Sequence, residues 1–429
     1  MGIFHRRQSC PKSEPIHSKA DFVLGGGGLA LLFSPIKEFF KKGDVILLGL
    51  CLAASTFGLV LIFSATQYLG TDRWIRFVLV QFAAIALGVA AYMLLTFVDF
   101  QLFVEKRWKL LLAFNVFFIL LLLTPLGEDY DSGNLNWLVI SRIIPRFPMD
   151  VQPNEIVKIS FILLLALQIV KIQDRELDIS SIPSIIQIGG HTVFMLGLIA
   201  AVCGDFGMCV IYMMIFVSIA WAAGVKLRWF VLVGGGIVLT AVILWLFFLP
   251  ETRWWNDYRI MRFRVVFDHS LDISGRGWQQ TRSVLAIGSG KLFGQGYLKG
   301  IQTQALNSDA LPARHTDFIY AVCGEELGLA GCMALLLLLS CIVLRCIWVG
   351  RHASSPFNAY VCMGMAGMLL AQITFNVGMC LYVLPVMGLT LPFISYGGSS
   401  IITLFAAMGI VSSVKARPMP SWLRDRSQV

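Results

Sequence analysis

Apolar residues along this chain of 429 residues fall into long runs rather than alternating with polar ones, the pattern of helices with apolar surroundings on every side. Runs near 45–66, 75–97, 109–126, 156–171, 187–203, 206–224, 229–250, 318–348, 358–384 and 400–414 predict ten membrane-spanning helices. Several fall short of the ~20 residues that a perpendicular span needs, and the two longest must tilt or project beyond the bilayer. The expected fold class is an all-α polytopic membrane protein with large outer loops. Residues 1–44 form a polar, basic arm, 45–414 the transmembrane domain and 415–429 a tail.

Composition removes the soluble alternative. Hydrophobic residues make up 57% and charged residues 14%, against about 25% charged in soluble domains. The net charge of +9 bears first on orientation and anionic membrane lipid, not on nucleic acid. Lys106, Arg107 and Lys109, then Lys226 and Arg228, Arg345 and Arg351, and Lys415 and Arg417 fall on the same side as the basic arm if ten helices cross. By the positive-inside rule that side is the cytoplasm, so both termini are expected there, in a multi-pass protein of the cytoplasmic membrane. The loop 251–316 carries nine basic residues yet lies outside; its length exceeds the ~60 residues over which the rule operates. Of ten cysteines, nine lie in apolar runs without metal-type pairing and are read as packing residues. The N-terminus lacks the short apolar core of a cleavable leader.

The same count places three complex loops, 127–155, 251–316 and 385–399, on the outer face, where a functional site is expected. ATP is absent there, and Gly288-Ser-Gly-Lys-Leu292 lacks both the leading Gly and the Ser/Thr of a phosphate-binding loop. A reaction at this face must use a pre-activated substrate or a gradient.

Charges within apolar segments cost about 2.5–3.5 kcal/mol each at a helix centre, so each needs a reason. Glu155 and Lys158, in Gln152-Pro-Asn-Glu-Ile-Val-Lys158, are read either as a helix-start acid with an i,i+3 ion pair or as partners for an anionic head group such as a diphosphate. Asp205, in Gly204-Asp-Phe-Gly207, is read as a turn or cap residue or as part of a site. Asp317 lies where a polar loop enters an apolar helix, beside Arg314 and His315, with Glu325 and Glu326 two turns deeper. It is either a helix cap or a desolvated carboxylate fit for general-base work. His315 and Asp317 form an HxD pair, a weak metal signal. The Arg- and aromatic-rich stretch 253–264 with Trp278 suits phosphate and sugar contacts, or an amphipathic element on the membrane. Gln372 and Asn376 are expected to join helices.

Leu311-Pro-Ala-Arg-His-Thr-Asp-Phe-Ile-Tyr320, Gly324-Glu-Glu-Leu-Gly328 and Leu384-Pro-Val-Met-Gly-Leu-Thr-Leu-Pro-Phe-Ile-Ser-Tyr-Gly-Gly-Ser-Ser400 strongly resemble the SEDS family (shape, elongation, division and sporulation) of cell-wall polymerases. Gln152–Lys158 resembles the family's QPSExxK, Gly204–Gly207 its PDLG, and Ala286–Gly290 with Gly294–Gly296 its glycine-rich outer loop. Gly296–Gln304 and Asn376-Val-Gly-Met379 are more similar to the elongation member than to the division member.

The resemblance implies a peptidoglycan glycosyltransferase that polymerises lipid II on the outer membrane face, with inversion and an undecaprenyl diphosphate leaving group. Asp317 would be its catalytic base, taking the proton of the acceptor 4-hydroxyl. Lys158 and Arg314 would neutralise diphosphate; Trp137, Glu155, Asp205, His315 and Ser395 would complete the substrate site. A divalent cation, Mg or Mn, is the cofactor the resemblance allows, and a class B penicillin-binding protein with the elongation machinery the expected partner. Asn136 stands where the family has Arg, leaving Arg142 or Arg146 as substitutes, Gly204 replaces the Pro of PDLG, and Asn154 the Ser of QPSE. The rival readings are a division-type polymerase, a lipid II flippase and a membrane scaffold.

Overall fold

The computed structural model describes residues 37–130, 133–145, 149–248, 252, 261–262, 264–265, 276–306 and 310–417. Each expected apolar run coincides with a helix. In chain order these are α1 (Val45–Thr66), α2 (Thr71–Thr96), α3 (Phe100–Leu120), α4 (Pro153–Gln173), α5 (Ile182–Val202), α6 (Phe206–Ala222) and α7 (Leu227–Ile243). Two shorter helices follow, α8 (Arg276–Ser289) and α9 (Ile301–Gln304), before α10 (Ile319–Arg351), α11 (Pro356–Cys380) and α12 (Gly398–Ala416). Among the described residues, seven helices are long and apolar enough to cross a membrane. The remaining three are α6, apolar but of 17 residues, and the charge-bearing α3 and α4, so the count of ten is approximate.

Several boundaries shift by a few residues, the third span's start most of all. The apolar pattern predicts the third span at 109–126, but α3 begins at Phe100 and takes in Lys106, Arg107 and Lys109. Hydropathy marks the depth of hydrocarbon, whereas a helix continues past it as long as its backbone bonds close. The backbone leaves helical geometry at Arg107, which kinks α3 there.

Helix α4 is the centre of the bundle. It starts on Pro153, whose missing N–H is no loss in a first turn, and it packs against α3, α5, α6, α11 and α12. Sixteen of its 21 residues are buried, as expected for a helix that is apolar all round. Glycines bring the neighbours close: a Cβ on Gly364 would lie 2.8 Å from Ile162, and one on Gly409 2.8 Å from the Tyr92 carbonyl. Small residues at helix contacts supply close packing where burial against lipid supplies none. At the periphery, α7 buries no residue.

Both ends of the helical part lie on one side of the bundle. Asp44, fully buried at the start of α1, accepts from Arg345 Nε at 2.9 Å and from Lys415 Nζ at 3.2 Å. It also caps α1 through Leu47 N and accepts Tyr92 Oη at its carbonyl.

Helix α10 is broken at Gly328 (φ 67°, ψ −164°). The break separates the Glu325 and Glu326 carbonyls from their usual i+4 donors, Leu329 N and Ala330 N. The glycine-rich loop restores all four groups: Gln295 N and Gly296 N donate to those carbonyls, and Leu329 N and Ala330 N donate to Lys291 O and Leu292 O. Only glycine fits this graft, because a Cβ on Gly294 would stand 2.1 Å from Glu326 O, and one on Gly290 1.9 Å from Gly324 O. Glu325 and Glu326 then pin the loop. Glu325 accepts Gln302 N, Thr303 N and Thr303 Oγ1, and Glu326 accepts Ser64 Oγ and Gln304 Nε2.

Candidate active site

Three segments meet at the mouth opposite Asp44. The first is the start of α6. Gly204 (φ 65°) makes the tight turn from α5, and Asp205 caps α6 by accepting Met208 N at 3.1 Å. Its other oxygen accepts Asn136 Nδ2 at 2.6 Å. The second segment, 385–399, lies directly on this turn, since a Cβ on Gly207 would be 2.8 Å from Met387 O. Next to Met387, Gly388 (φ 68°) bends the chain, and its Cβ position lies 3.9 Å from Asp317 Oδ2.

The third segment carries Asp317. Its backbone is fixed at three successive carbonyls: His315 O accepts Tyr396 N at 2.9 Å, Thr316 O accepts Ser395 Oγ at 2.7 Å, and Asp317 O accepts Asn376 Nδ2 at 2.9 Å. Asn376 also donates to Leu389 O at 2.6 Å, joining the two loops. The Asp317 carboxylate, half-buried, makes no hydrogen bond or ion pair with a described residue. It does not cap α10, whose N-cap position is Phe318 without a side-chain bond. A rigid backbone thus presents an unengaged carboxylate.

Burial, and then the charge of Asp205, push the Asp317 carboxyl up to about 6. Burial raises Asp205 too, against the opposing Met208 N–H, the Asn136 amide and the charge of Arg262. A carboxyl near 6 is largely ionised at neutral pH yet basic enough to accept a proton, as a general base requires.

The other expected residues divide between this mouth and its supports. Lys158 is fully buried, 2.7 Å from Glu155 Oε2, and Ser400 Oγ donates to the same oxygen at 3.2 Å. The pair therefore sits where α4 meets the start of α12. Its neighbour Asn154 donates to Cys203 Sγ, beside the Gly204 turn. Trp137 lies half-buried on strand β2 (Trp137–Leu138), which pairs with β1 (Gly127–Glu128); the neighbouring Asn136 is the residue that reaches Asp205. Arg142 turns instead to Glu128 and Pro125 O, and Arg146 lies outside the described residues, as do Arg253, Trp254, Trp255, Tyr258 and Arg259.

Arg314 is apart from the pair. Its guanidinium donates to the carbonyls of Gln302, Thr303 and Ala305 and stacks 3.5 Å from the Tyr68 ring centre, so it tethers the outer loop. His315 packs between Phe77 and Tyr396; burial and the Arg314 charge hold it down to about 4, a neutral ring at physiological pH. The Ser395 hydroxyl is engaged on both sides, donating to Thr316 O and accepting Leu391 N. Trp278 belongs to α8, whose Gln280 and Ser283 bond the carbonyls of Met379, Leu384 and Cys380. That face of α8 rests on protein, not on the membrane.

Two positioning residues escaped the sequence reading. Asn376 is expected to join helices, but it binds the loops bearing Asp317 and Leu389. Asn136 stands in the place of the family's arginine, and it is a donor to Asp205. As for a cation, no group of three or more His, Cys, Asp or Glu side chains converges among the described residues. The two carboxylates alone do not make a protein metal cage.

Fold and site together define an all-α, multi-span membrane protein with a two-carboxylate centre at one mouth of its bundle. Residues 45–418 match the FtsW/RodA/SpoVE family of cell cycle proteins, and the chain belongs to that family. It is 34% identical over 299 residues to the peptidoglycan glycosyltransferase MrdB of Escherichia coli K12, covering 69% of this chain and 75% of that one. It is 30% identical over 389 residues to the probable peptidoglycan glycosyltransferase FtsW of Bacillus subtilis, covering 88% and 92%. A solved structure described as "Structural coordination of polymerization and crosslinking by a peptidoglycan synthase complex" superposes with a TM-score of 0.68 at 25% identity, covering 90% of this chain and 99% of that one. Rod shape determining protein RodA of Thermus thermophilus does so with 0.60 at 23%, covering 88% and 98%, a likeness of fold.

Proposed function

We propose that this chain is a peptidoglycan glycosyltransferase that polymerises lipid II at the outer face of the cytoplasmic membrane, with both termini in the cytoplasm. The observation that carries the reading is the unengaged Asp317 carboxylate on its pinned backbone, with its proton affinity raised beside Asp205. Asp317 takes the proton from the acceptor 4-hydroxyl as that oxygen attacks the donor's anomeric carbon. The bond to the diphosphate breaks on the opposite side, its electron pair leaving with the undecaprenyl diphosphate, and the configuration inverts. Arg262, whose charge acts on Asp205, is assigned to the departing diphosphate. Lys158 stays with Glu155 and fixes α4 beneath the site.

The names of the relatives support the glycosyltransferase activity. The described peptidoglycan synthase complex supports a crosslinking partner, assigned to a class B penicillin-binding protein. The elongation role rests on the Gly296–Gln304 and Asn376–Met379 stretches, which resemble the elongation member.

Purified protein given lipid II, divalent cation and its transpeptidase partner in detergent should produce glycan polymer, and Asp317→Asn should abolish it. Equal polymer from the variant would overturn the base assignment. Transfer of labelled lipid II across liposomes without any polymer would favour a flippase instead.

A further inference from the structure

At the end of α4 remote from Asp317, a cavity of about 440 Å³ opens between α3, α4 and α5. That volume is within the ~300–1,000 Å³ of ligand sites. Lys171, at its rim, is 16 residues past Glu155, or roughly 24 Å along the helix at ~1.5 Å per residue. With a hydrocarbon core of ~30 Å, the rim belongs to the opposite leaflet.

The lining changes character along its length. Leu112, Leu167 and Phe194 make an apolar inner wall, while the exposed Lys171 and Arg175 stand at the outer end. Neither cation forms an ion pair with a described residue, and Asp174 and Glu176 on the same turn do not line the cavity. Trp108 forms part of the rim, with Lys171 Nζ 5.1 Å and Lys109 Nζ 5.6 Å from its ring centre, within the ~6 Å of a cation–π contact. Between the two zones, His191 Nδ1 meets Gln168 Oε1 at 3.0 Å, and His191 Nε2 has no hydrogen-bond partner among the described residues. From Leu164 to Arg175 the groove spans 11 residues, roughly 16 Å, about the hydrocarbon depth of one leaflet.

An apolar slot open to lipid, ending in a tryptophan and two cations that form no ion pair with a described residue, is complementary to one kind of molecule. We propose that this groove binds an anionic phospholipid of the cytoplasmic leaflet, its phosphate between Lys171 and Arg175 and an acyl chain against Leu112, Leu167 and Phe194. The site is separate from the glycosyltransferase centre, and only its assignment to the cytoplasmic leaflet rests on the orientation proposed above.

The test is native mass spectrometry of full-length protein in detergent, titrated with phosphatidylglycerol or phosphatidylcholine. Phosphatidylglycerol should be retained in preference. Lys171→Gln with Arg175→Gln should weaken it roughly fivefold per charge removed, the factor corresponding to about 1 kcal/mol per cation near a membrane. Leu112→Trp, which fills the slot and keeps the charges, should also lower retention. Lys106→Gln with Arg107→Gln, off the groove but at the same membrane level, should leave it intact. Equal loss from that control pair, unchanged binding by Leu112→Trp, equal retention of phosphatidylcholine, or competition by inorganic phosphate alone would each overturn the proposal. All the charge changes are at exposed positions, so a shifted melting profile separates misfolding from lost binding.

Discussion

Asp205 and Asp317 come together at one mouth of the bundle, and the negative charge of the first raises the proton affinity of the second. Burial is the larger cause and Asp205 the smaller. If Asp317 acts as a base, polymerisation must rise with pH through about 6, as its carboxyl loses its proton. Asp205→Asn removes the repulsion and should move this limb to lower pH without returning it to the ordinary carboxylate range. Rates of lipid II consumption measured from pH 4.5 to 8 give the midpoint even when the variant is slower. An unmoved midpoint would show that the two carboxylates are not coupled.

The same raised proton affinity has a consequence for stability. The folded Asp317 carboxyl holds its proton more tightly than the unfolded chain, whose value is ~3.9. Its contribution therefore favours folding at acid pH and is lost as pH climbs from that value through about 6. Above this window, the ionised group is a cost that Asn does not carry. Asp317→Asn should thus keep or raise the melting temperature at pH 8 while polymer formation disappears. A clearly lower melting temperature would assign the residue to structure instead.

The long apolar runs were legible because the bilayer demands them, and all became helices. Asp205 and Asp317 were legible because charge is rare in such a chain. Their supports were harder to see. Asn376 sits within an apolar helix and looks like any interhelical polar residue; its role arises only when the loops bearing Asp317 and Leu389 fold onto it. Arg314 and Ser395 lie inside the most recognisable stretches, yet their polar atoms face backbone carbonyls, a direction that sequence spacing does not specify in a loop. The break at Gly328 was hidden within one continuous apolar run, because hydropathy records surroundings and not the sign of φ.

That break supplies a paired test with opposite signs. Gly294 has φ 80°, and a Cβ there would lie 2.1 Å from Glu326 O, so Gly294→Ala adds backbone strain on the order of 1–3 kcal/mol and separates the grafted loop from α10. Gly288, six residues earlier, is helical with nothing within 4 Å of its Cβ position. Gly288→Ala should stabilise by about 0.5–1 kcal/mol, since glycine loses more freedom in a helix. Thermal melts in detergent should move down for the first and up for the second. Two neutral results would mean that the loop does not carry the broken helix.

Asp44 ties the first helix to the ends of α10 and α12 at the opposite face, and its removal should be among the most damaging single changes away from the site. Burial alone would raise its carboxyl, but the hydrogen bonds and charge of Arg345, with Lys415 and the Leu47 N–H, outweigh it, and the carboxyl is held below the ordinary range. A depressed folded value means that the contribution is present above the unfolded value of ~3.9 and is lost as pH falls through the folded one. Asp44→Ala leaves Arg345, only 14% exposed, without its counter-charge, and breaking a buried pair from one side costs about 3–5 kcal/mol. Asp44→Asn keeps a side-chain oxygen for Leu47 N, which Ala lacks, so it should lose less. The order wild type, Asn, Ala in melting temperature at pH 7, with wild type falling towards Asn as the pH is lowered below 4, is the expected result. Equal melting of the two variants would mean that cap and shape contribute nothing beyond the charge.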